Sequence, residues 1–386
     1  DGRVWFGRKS RSRPQPSWIT SFDMSGDLSM RVLEHCDPHM ALMVIDQLMK
    51  TKLYKPEDLA VAEKKVLAKT CLFGRMKGAG MEVVELQKKH TARISTLRKA
   101  VVGVEIYTAP LTDDSIAPAA PKYPALLELA SLMYQGGEYE DSYTLLEHLA
   151  LGVSPAVSEA TLAQVQWGQM AAGIMLGKTS AVTSIIMEMK TTLRSAGTAD
   201  WTSTVNDSLW LLHWALFVVF RPESKEWQLL VRTTRPEYNA IVYRAPHMLR
   251  YTTCAALLSP VENFSLVDFS GPLSQDKRFY HDDITDFLLT SVYEGNLFKG
   301  RELLPKAIAL VESDVMLRMV KDKLIKALRR CLANTLVLHS QAFEMADAIA
   351  MLRTSPEEAD ELLYAVADFH SLTLVPEAGV VTIERK

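Results

Sequence analysis

The chain has few cysteines, and they are not spaced as metal or redox motifs require. Cys36, Cys71, Cys254 and Cys331 are scattered through 386 residues, and no two stand in a CxxC spacing. A chain of this length does not depend on covalent cross-links to stabilise its core. We therefore expect four reduced thiols, as in a cytoplasmic protein.

Long apolar runs are also missing. The longest one, LWLLHWALFVVF at 209–220, contains His213. It is about half as long as the roughly 20 residues that a membrane-spanning helix needs. The sequence therefore predicts that no segment crosses a membrane.

The motifs of common enzyme classes do not occur. The chain has no GxSxG nucleophile elbow and no glycine-rich nucleotide fingerprint. AGIMLGKT at 172–179 resembles a phosphate loop, but Ala172 stands where that loop needs glycine. The stretch instead predicts the end of a helix, with Gly177 as the residue that follows it. We predict no catalytic residue, no cofactor and no enzymatic activity.

Side chains that could bind a metal ion are better explained as parts of helix starts or of packed helices. HCDPH at 35–39 holds two histidines and a cysteine, but Asp37-Pro38 predicts a helix start between the histidines. In HDD at 281–283, Asp283 is expected to be a helix N-cap. His90 lies on an apolar helical stripe and is predicted to be a hydrogen-bonded core or interface residue. No metal site is expected.

Helical periodicity is what the sequence does have. From residue 27 onward, apolar side chains recur three and four residues apart. Hairpin turns are predicted at Gly136-Gly137, at Gly177, at Arg221-Pro222 and at Gly295. The first three recur roughly 40 to 45 residues apart, the spacing of helix-pair repeats. The pattern predicts a mainly α fold, a right-handed α-solenoid of helix-pair repeats.

The predicted domains follow from composition and periodicity. A basic extension covers 1–26, a helical region 27–102, a Pro/Ala-rich linker 103–122, the solenoid 123–335 and a winged helix 336–386. Within 1–22 the charge is +4, although the whole chain has a net charge of −3. Side chains of this tail can contact RNA phosphates and bases, or become ordered on a protein partner. They are Arg3, Trp5, Phe6, Arg8, Lys9, Arg11 and Arg13.

The winged helix is predicted from the C-terminal pattern. AFEMADAIAML (342–352) gives its first helix, and a second helix follows with Ser355 and Glu358 as a capping box and Pro356 as its first residue. Two short strands come last. The predicted buried face of the second helix comprises Ala359, Leu362, Leu363, Val366 and Phe369.

The outer face of that second helix is acidic. It is predicted to hold Glu357, Glu358, Asp360, Glu361 and Asp368, and no basic residue occurs from Ser355 through Phe369. DNA phosphates would repel such a face, so DNA binding is not expected. The last strand is instead predicted to be an exposed edge that pairs with a partner's strand, or one that merely closes the domain. Its residues are Val380, Val381, Thr382, Ile383 and Glu384.

Helix pairs leading into an acidic winged helix resemble the PCI module. Scaffold subunits of the proteasome lid, the COP9 signalosome and translation initiation factor three share that module. Four stretches resemble more narrowly the e subunits of this initiation factor. They are 27–59, WLLHWALFVVF with PEYNAIVYRAPHMLRYTTCA (210–220 and 236–255), DDITDFLLTSVYEGNLFKG (282–300), and the winged helix with its SPEEA. Residues 1–26 and 103–122 depart from the family's pattern.

The resemblance implies a non-catalytic scaffold subunit in the cytoplasm. The PCI helical part would start at about residue 205. Expected partners are other subunits of initiation factor three, namely the PCI-containing neighbours and the d subunit, together with the small ribosomal subunit during mRNA recruitment. Two alternatives stay open: a PCI scaffold of the proteasome lid or signalosome, and an RNA-binding accessory factor that acts through the N-terminal tail.

Overall fold

The computed structural model describes residues 26–51, 53–101, 122–151, 158–195, 201–234, 243–259, 266–377 and 379–385. The chain divides into two compact units. Among the described residues, the first unit holds 29–218, and the second holds 219–385 together with 26–28.

Helices make up the first unit. They are α1 Ser29–Leu33, α2 Pro38–Met49, α3 Pro56–Leu67, α4 Phe73–Gly78, α5 Val84–Ala100, α6 Tyr123–Gly136, α7 Tyr139–Leu151, α8 Glu159–Leu176, α9 Thr179–Ser195 and α10 Trp201–Val219. Asp37 caps α2 by accepting from the backbone N–H of His39 at 2.8 Å, and Pro38 is the first helical residue. Asp37-Pro38 therefore starts a helix, as the sequence predicted.

Two glycine turns close helical hairpins in this unit. Gly137 follows α6 with φ 89°, and Gly177 follows α8 with φ 76°, left-handed conformations that glycine adopts without a steric penalty. Both predicted turns are confirmed. The phosphate-loop-like stretch is the last part of α8 and the turn after it. At Gly173 an added Cβ would lie 2.6 Å from Val182 Cγ2, so α8 and α9 pack closely there.

The second unit contains helices followed by a small sheet. Its elements are α11 Trp227–Thr234, α12 Met248–Leu258, α13 Leu266–Asp276, α14 Asp283–Leu288, α15 Leu297–Ser313, α16 Lys321–His339, β1 Ala342–Glu344, α17 Met345–Leu352, α18 Pro356–Phe369, β2 Leu372–Glu377 and β3 Val380–Arg385. A π-helical turn, Leu289–Tyr293, joins α14 to the turn before α15. The mainly helical class predicted from the sequence is confirmed.

The N-cap of α14 differs from the prediction by one residue. Asp282, not Asp283, accepts from the backbone N–H groups of Ile284 and Thr285. In return, the Asp282 N–H donates to Thr285 Oγ1 at 2.8 Å. This reciprocal pair requires the cap to stand three residues before the threonine, which selects Asp282.

The three strands form an antiparallel sheet in the order β1-β3-β2. Thr382 lies opposite Ala342 of β1 and opposite Val375 of β2. The prediction that 342–352 is wholly helical is wrong at its start, because 342–344 pair with β3 and the helix begins at Met345.

Helix α18 buries one face beneath this sheet. Ala359, Leu362, Leu363 and Val366 are buried as predicted. Phe369 is not, because it stands at the last turn of the helix, where its ring is 52% exposed beside His370. Ala367 is buried near that end of the helix.

The predicted free thiols are confirmed, since all four cysteines are buried and unpaired. Burial raises the pKa of Cys331 to about 12. Within the described ranges, no helix combines the length and apolar composition that a bilayer crossing requires.

Candidate functional site: the outer face of the last helix and two buried clusters

The C-terminal helix presents an acidic surface, as predicted. Ser355 fixes the start of α18 by accepting from the Glu358 N–H at 3.2 Å, and Pro356 is its first residue. Five exposed side chains, spaced three and four residues apart and so on one side of the helix, define what we call the outer face of α18. They are Glu357, Asp360, Glu361, Tyr364 and Asp368.

Two of the five carboxylates predicted for this face bind α16 instead of facing only solvent. Glu358 does not complete the capping box, because its carboxylate accepts from Thr354 Oγ1 and from Arg329 Nη1 at 3.0 Å. The hydrogen bond from Thr354, then the charge of Arg329, lower the pKa of Glu358. Glu361 pairs with Lys326 Nζ at 2.7 Å.

The remaining chemistry of the outer face suits a protein partner. Tyr364 is 43% exposed between carboxylates, and Phe369, five residues further on, is also exposed but lies on another side of the helix. Aromatic side chains are enriched among the residues that dominate protein–protein binding, whereas exposed carboxylates repel the phosphates of nucleic acids. The face can therefore bind a polypeptide that supplies cations and an apolar pocket.

The prediction that the last strand is an exposed edge is wrong. Val380, Val381, Thr382, Ile383 and Glu384 belong to β3, which is the central strand of the sheet and not an edge. Its backbone pairs with β2 along its length and with β1 from Val380 to Thr382, and the Ile383 N–H donates to Gln341 O at 3.0 Å. Strand addition at β3 is thereby blocked through residue 383.

The predicted tail residues lie outside the described residues. This applies to Arg3, Trp5, Phe6, Arg8, Lys9, Arg11 and Arg13.

A buried ion cluster in the second unit was not found from the sequence. Arg250 is 1% exposed and donates to Asp282 Oδ2 at 2.6 Å, to Asp314 Oδ2 at 2.9 Å and to Gly26 O at 2.6 Å. Tyr251 also donates to Asp314, at 3.2 Å. Burial by itself lowers the pKa of Arg250, but the carboxylates of Asp314 and Asp282 outweigh it, so the pKa is raised.

Each aspartate in the cluster also organises a chain turn. Asp282 caps α14, and Asp314 Oδ1 accepts from the backbone N–H groups of Met316 and Leu317. One guanidinium thus connects α12 to two turns that are 32 and 64 residues distant in sequence. Such a cluster fixes the positions of elements and leaves no open coordination or reaction site.

A second buried cluster lies in the first unit, where the rings of His35 and His213 stack with centroids 3.8 Å apart. The Nε1–H of Trp214 donates to His35 O at 2.9 Å, and Trp167 packs edge-on against Trp214 at 5.0 Å. Burial lowers the pKa of His35, opposed by its hydrogen bond to Arg31 O. The lowered pKa favours the neutral form of the His35 ring in this stack.

His90 is confirmed as an interface histidine. Its Nε2 lies 3.0 Å from Leu132 O of α6, and its ring packs edge-on against Phe73 at 5.4 Å. Among the residues that the structure describes, no group of three or more His, Cys, Asp or Glu side chains is arranged to hold a metal ion.

The two clusters connect the stretches that carry the family resemblance. His35 lies in 27–59 and His213 in 210–220, while Arg250 lies in 236–255 and Asp282 in 282–300. Within each unit, two of these stretches are thus in direct contact. The sequence signal was the order of Trp, His, Pro and Tyr around His213 and between Tyr238 and Tyr251, and it did not show which residues are in contact.

Comparison with curated proteins finds relatives named as the E subunit of eukaryotic translation initiation factor 3. The chain is 24% identical to the protein of Monosiga brevicollis, over 87% of this chain and 74% of the relative. It is 22% identical to that of Bombyx mori (86% and 82%) and 24% identical to that of Cryptococcus neoformans (87% and 80%). The resemblance inferred from the sequence is therefore confirmed across several species. No family model matches the chain.

Proposed function

We propose that the chain is a non-catalytic scaffold subunit of eukaryotic translation initiation factor three and acts in the cytoplasm. The observation that carries the proposal is similarity to proteins named as the E subunit of this factor over 86% to 87% of the chain. Such a span is longer than either compact unit alone, so it includes parts of both. A motif shared by chance would cover far less of the chain.

The architecture supports assembly as the task. Hairpin α6–α7 packs on hairpin α8–α9 through α7 and α8, as neighbours do in stacked helix-pair repeats. We assign 123–335 to a solenoid, with the PCI helical part from about 205, and 336–386 to its winged helix. In this proposal the helical arm and the winged helix contact PCI-containing neighbours and the d subunit. The assembly then supports preinitiation complex formation on the small ribosomal subunit and mRNA recruitment.

The contact surface that we assign to the winged helix is the outer face of α18. Its exposed carboxylates oppose insertion between DNA phosphates, whereas Tyr364 offers an aromatic anchor for a protein. A partner helix or loop with lysines or arginines around an apolar pocket would complement it.

The proposal is tested by purifying the tagged full-length chain from cells and identifying co-purifying proteins by mass spectrometry. We expect other subunits of initiation factor three and proteins of the small ribosomal subunit. Recovery of proteasome-lid or signalosome subunits without ribosomal proteins would contradict it.

A paired variant locates the contact. In Glu357→Lys with Asp360→Lys, two exposed charges of the outer face change sign, and we expect at least a tenfold loss of co-purifying factor subunits, because like charges facing each other across an interface cost several kcal/mol. The matched control is Glu302→Lys with Glu312→Lys, two exposed acids of α15. Equal recovery with both variants would exclude the outer face as the contact.

A further inference from the structure

The first unit contains a strongly basic stretch. Residues 63–99 carry ten lysines and arginines against three glutamates, a net charge of +7 in a chain whose total is −3. Nine of the ten are exposed, and only Arg75 is half-buried. Charge of one sign at this density creates a local field that favours polyanions.

Two of these lysines lie in line along the exposed side of helix α5. Its inner side packs on α6 through Ile94 and Leu97, which are the only buried residues in the helix. Lys88 and Lys99 lie on the opposite side, eleven positions apart. That separation is about three helical turns, so the two side chains are in line and roughly 16 Å apart along the axis.

Side-chain contacts connect α4 to α3 on one side and to α5 on the other. Lys77 Nζ of α4 donates to Gln87 Oε1 at 3.2 Å, beside Lys88. Arg75 Nε donates to Glu63 Oε1 of α3 at 2.7 Å, beside the exposed pair that follows Glu63. We call the exposed lysines of these three connected helices the basic surface, and its members are Lys64, Lys65, Lys77, Lys88 and Lys99.

The lysines of the basic surface are available to a ligand. Arg93 and Arg98 are paired with Glu128 and Glu138. By contrast, four of the lysines form no ion pair with any residue that the structure describes; they are Lys64, Lys65, Lys88 and Lys99. Exposed ammonium groups of this kind can neutralise phosphates, and the counterions that the nucleic acid then releases drive binding.

We infer that the basic surface binds the phosphate backbone of RNA without regard to base sequence. Lysine is depleted at protein–protein interfaces, whose dominant residues are aromatic side chains and arginine. The exposed positions of α5 between Lys88 and Lys99 instead hold small or polar residues such as Ala92, Ser95 and Thr96. No exposed aromatic ring is present on the described parts of α3, α4 or α5 to stack on bases. Phosphate contact alone therefore accounts for the surface.

This inference goes beyond the proposed scaffold role and concerns another unit of the chain than the outer face of α18. Its test needs no partner subunit. The full-length chain is titrated with a fluorescein-labelled oligouridylate of about 20 nucleotides, and anisotropy is measured from about 50 to 200 mM salt. The slope of log K against log salt counts the phosphates that are neutralised, at about 0.7 per contact for a single strand.

The test variant is Lys64→Gln, Lys65→Gln, Lys88→Gln and Lys99→Gln together. We expect the salt slope to fall by about 3, since four contacts at about 0.7 each are removed, with at least a tenfold weaker affinity at about 100 mM salt. The matched control replaces four exposed lysines of the second unit that also form no ion pair with described residues. They are Lys225, Lys299, Lys306 and Lys321, each changed to Gln.

The basic tail offers a second place for RNA to bind, which would hide the effect of the lysine substitutions. Both variants are therefore measured again in a background in which five tail residues are changed to Gln. These are Arg3, Arg8, Lys9, Arg11 and Arg13. A loss of slope specific to the four-lysine variant in both backgrounds supports the inference. Equal slopes for the test and control variants would overturn it. So would polyglutamate that competes as well as unlabelled RNA, because the surface would then suit an acidic polypeptide. If the four-lysine variant still co-purifies with factor subunits, its loss of RNA binding is independent of the scaffold role.

Discussion

Replacing Arg250 by methionine tests the buried ion cluster of the second unit. Methionine keeps the length and apolar stem of the side chain but removes the guanidinium and its three hydrogen bonds. Asp282 and Asp314 are then left without a cation at 10% and 1% exposure. Both carboxylates still accept backbone N–H groups, so the turns that they cap lose charge compensation but keep their local hydrogen bonds.

The expected cost is about 3 to 5 kcal/mol, the range found when one partner is removed from a buried ion pair. This is a large fraction of the 5 to 15 kcal/mol by which domains are typically stable. A second substitution, Asp314→Asn, in the Arg250→Met background removes one of the two uncompensated charges and keeps an oxygen that can accept the capping bonds. The double variant is therefore expected to be more stable than Arg250→Met alone by about 1 to 3 kcal/mol.

Hydrogen-exchange mass spectrometry measures the loss of stability in the second unit separately from the first unit. Peptides from α12 and α14 report its opening free energy, and peptides from α6 and α8 in the first unit serve as internal controls. The reasoning is refuted if Arg250→Met leaves protection of α12 unchanged, or if Asp314→Asn destabilises the variant further.

The pH dependence gives a second readout of the same cluster. Burial raises the pKa of Asp282, but Arg250 and the backbone bond from Thr285 outweigh it, so the pKa is lowered overall. The unfolded chain then binds the proton more readily. The stability that Asp282 contributes is complete above the unfolded pKa of about 3.9 and is lost as the pH falls through the folded value. In Arg250→Met this acid-dependent loss should be smaller.

Three further predictions concern other elements. Because burial lowers the pKa of His35, the unfolded state takes up its proton first, and we expect the urea midpoint of the first unit to fall as pH drops below about 6.5. Gly173→Ala places a Cβ 2.6 Å from Val182 and should cost about 1 to 3 kcal/mol, measured by urea unfolding. Ser355→Ala removes the N-cap of α18 and should cost about 1 kcal/mol, measured by exchange of α18 peptides.

Each of these has its own control. His35→Gln should flatten the pH dependence, and an unchanged profile would exclude this histidine as the source. Val182→Ala should partly rescue Gly173→Ala, and an additive loss would show that the contact is not the cause. Ser355→Asp should keep the cap, so a loss equal to that of alanine would contradict the capping role.

Local signals in the sequence predicted several local features correctly, although the N-cap of α14 and the start of α17 were misplaced. The helix start at Asp37-Pro38, the turns at Gly137 and Gly177 and the cap at Ser355 each depend on residues within four positions of one another. Such contacts are set by backbone preference and nearby hydrogen bonds, which the sequence displays directly.

Two predictions that depended on distant residues were wrong. Strand β3 was placed at an edge because its partner β1 is only three residues long and precedes a helix without a break. Glu358 was expected to bond to its own N-cap, but Arg329 lies 29 residues away in sequence and offers a charged partner. The cluster around Arg250 likewise assembles from three separate stretches. Local periodicity in the sequence does not show which distant side chains come into contact.

Zero-length carboxylate-to-amine crosslinking of the affinity-purified native complex, read by mass spectrometry, tests the scaffold role most directly. The 2.7 Å pair between Glu361 and Lys326 supplies an internal positive control. We predict crosslinks from Glu357 or Asp360 to lysines of other initiation-factor subunits. A chain that purifies as a monomer, with crosslinks confined to internal pairs such as Glu361–Lys326, would contradict it.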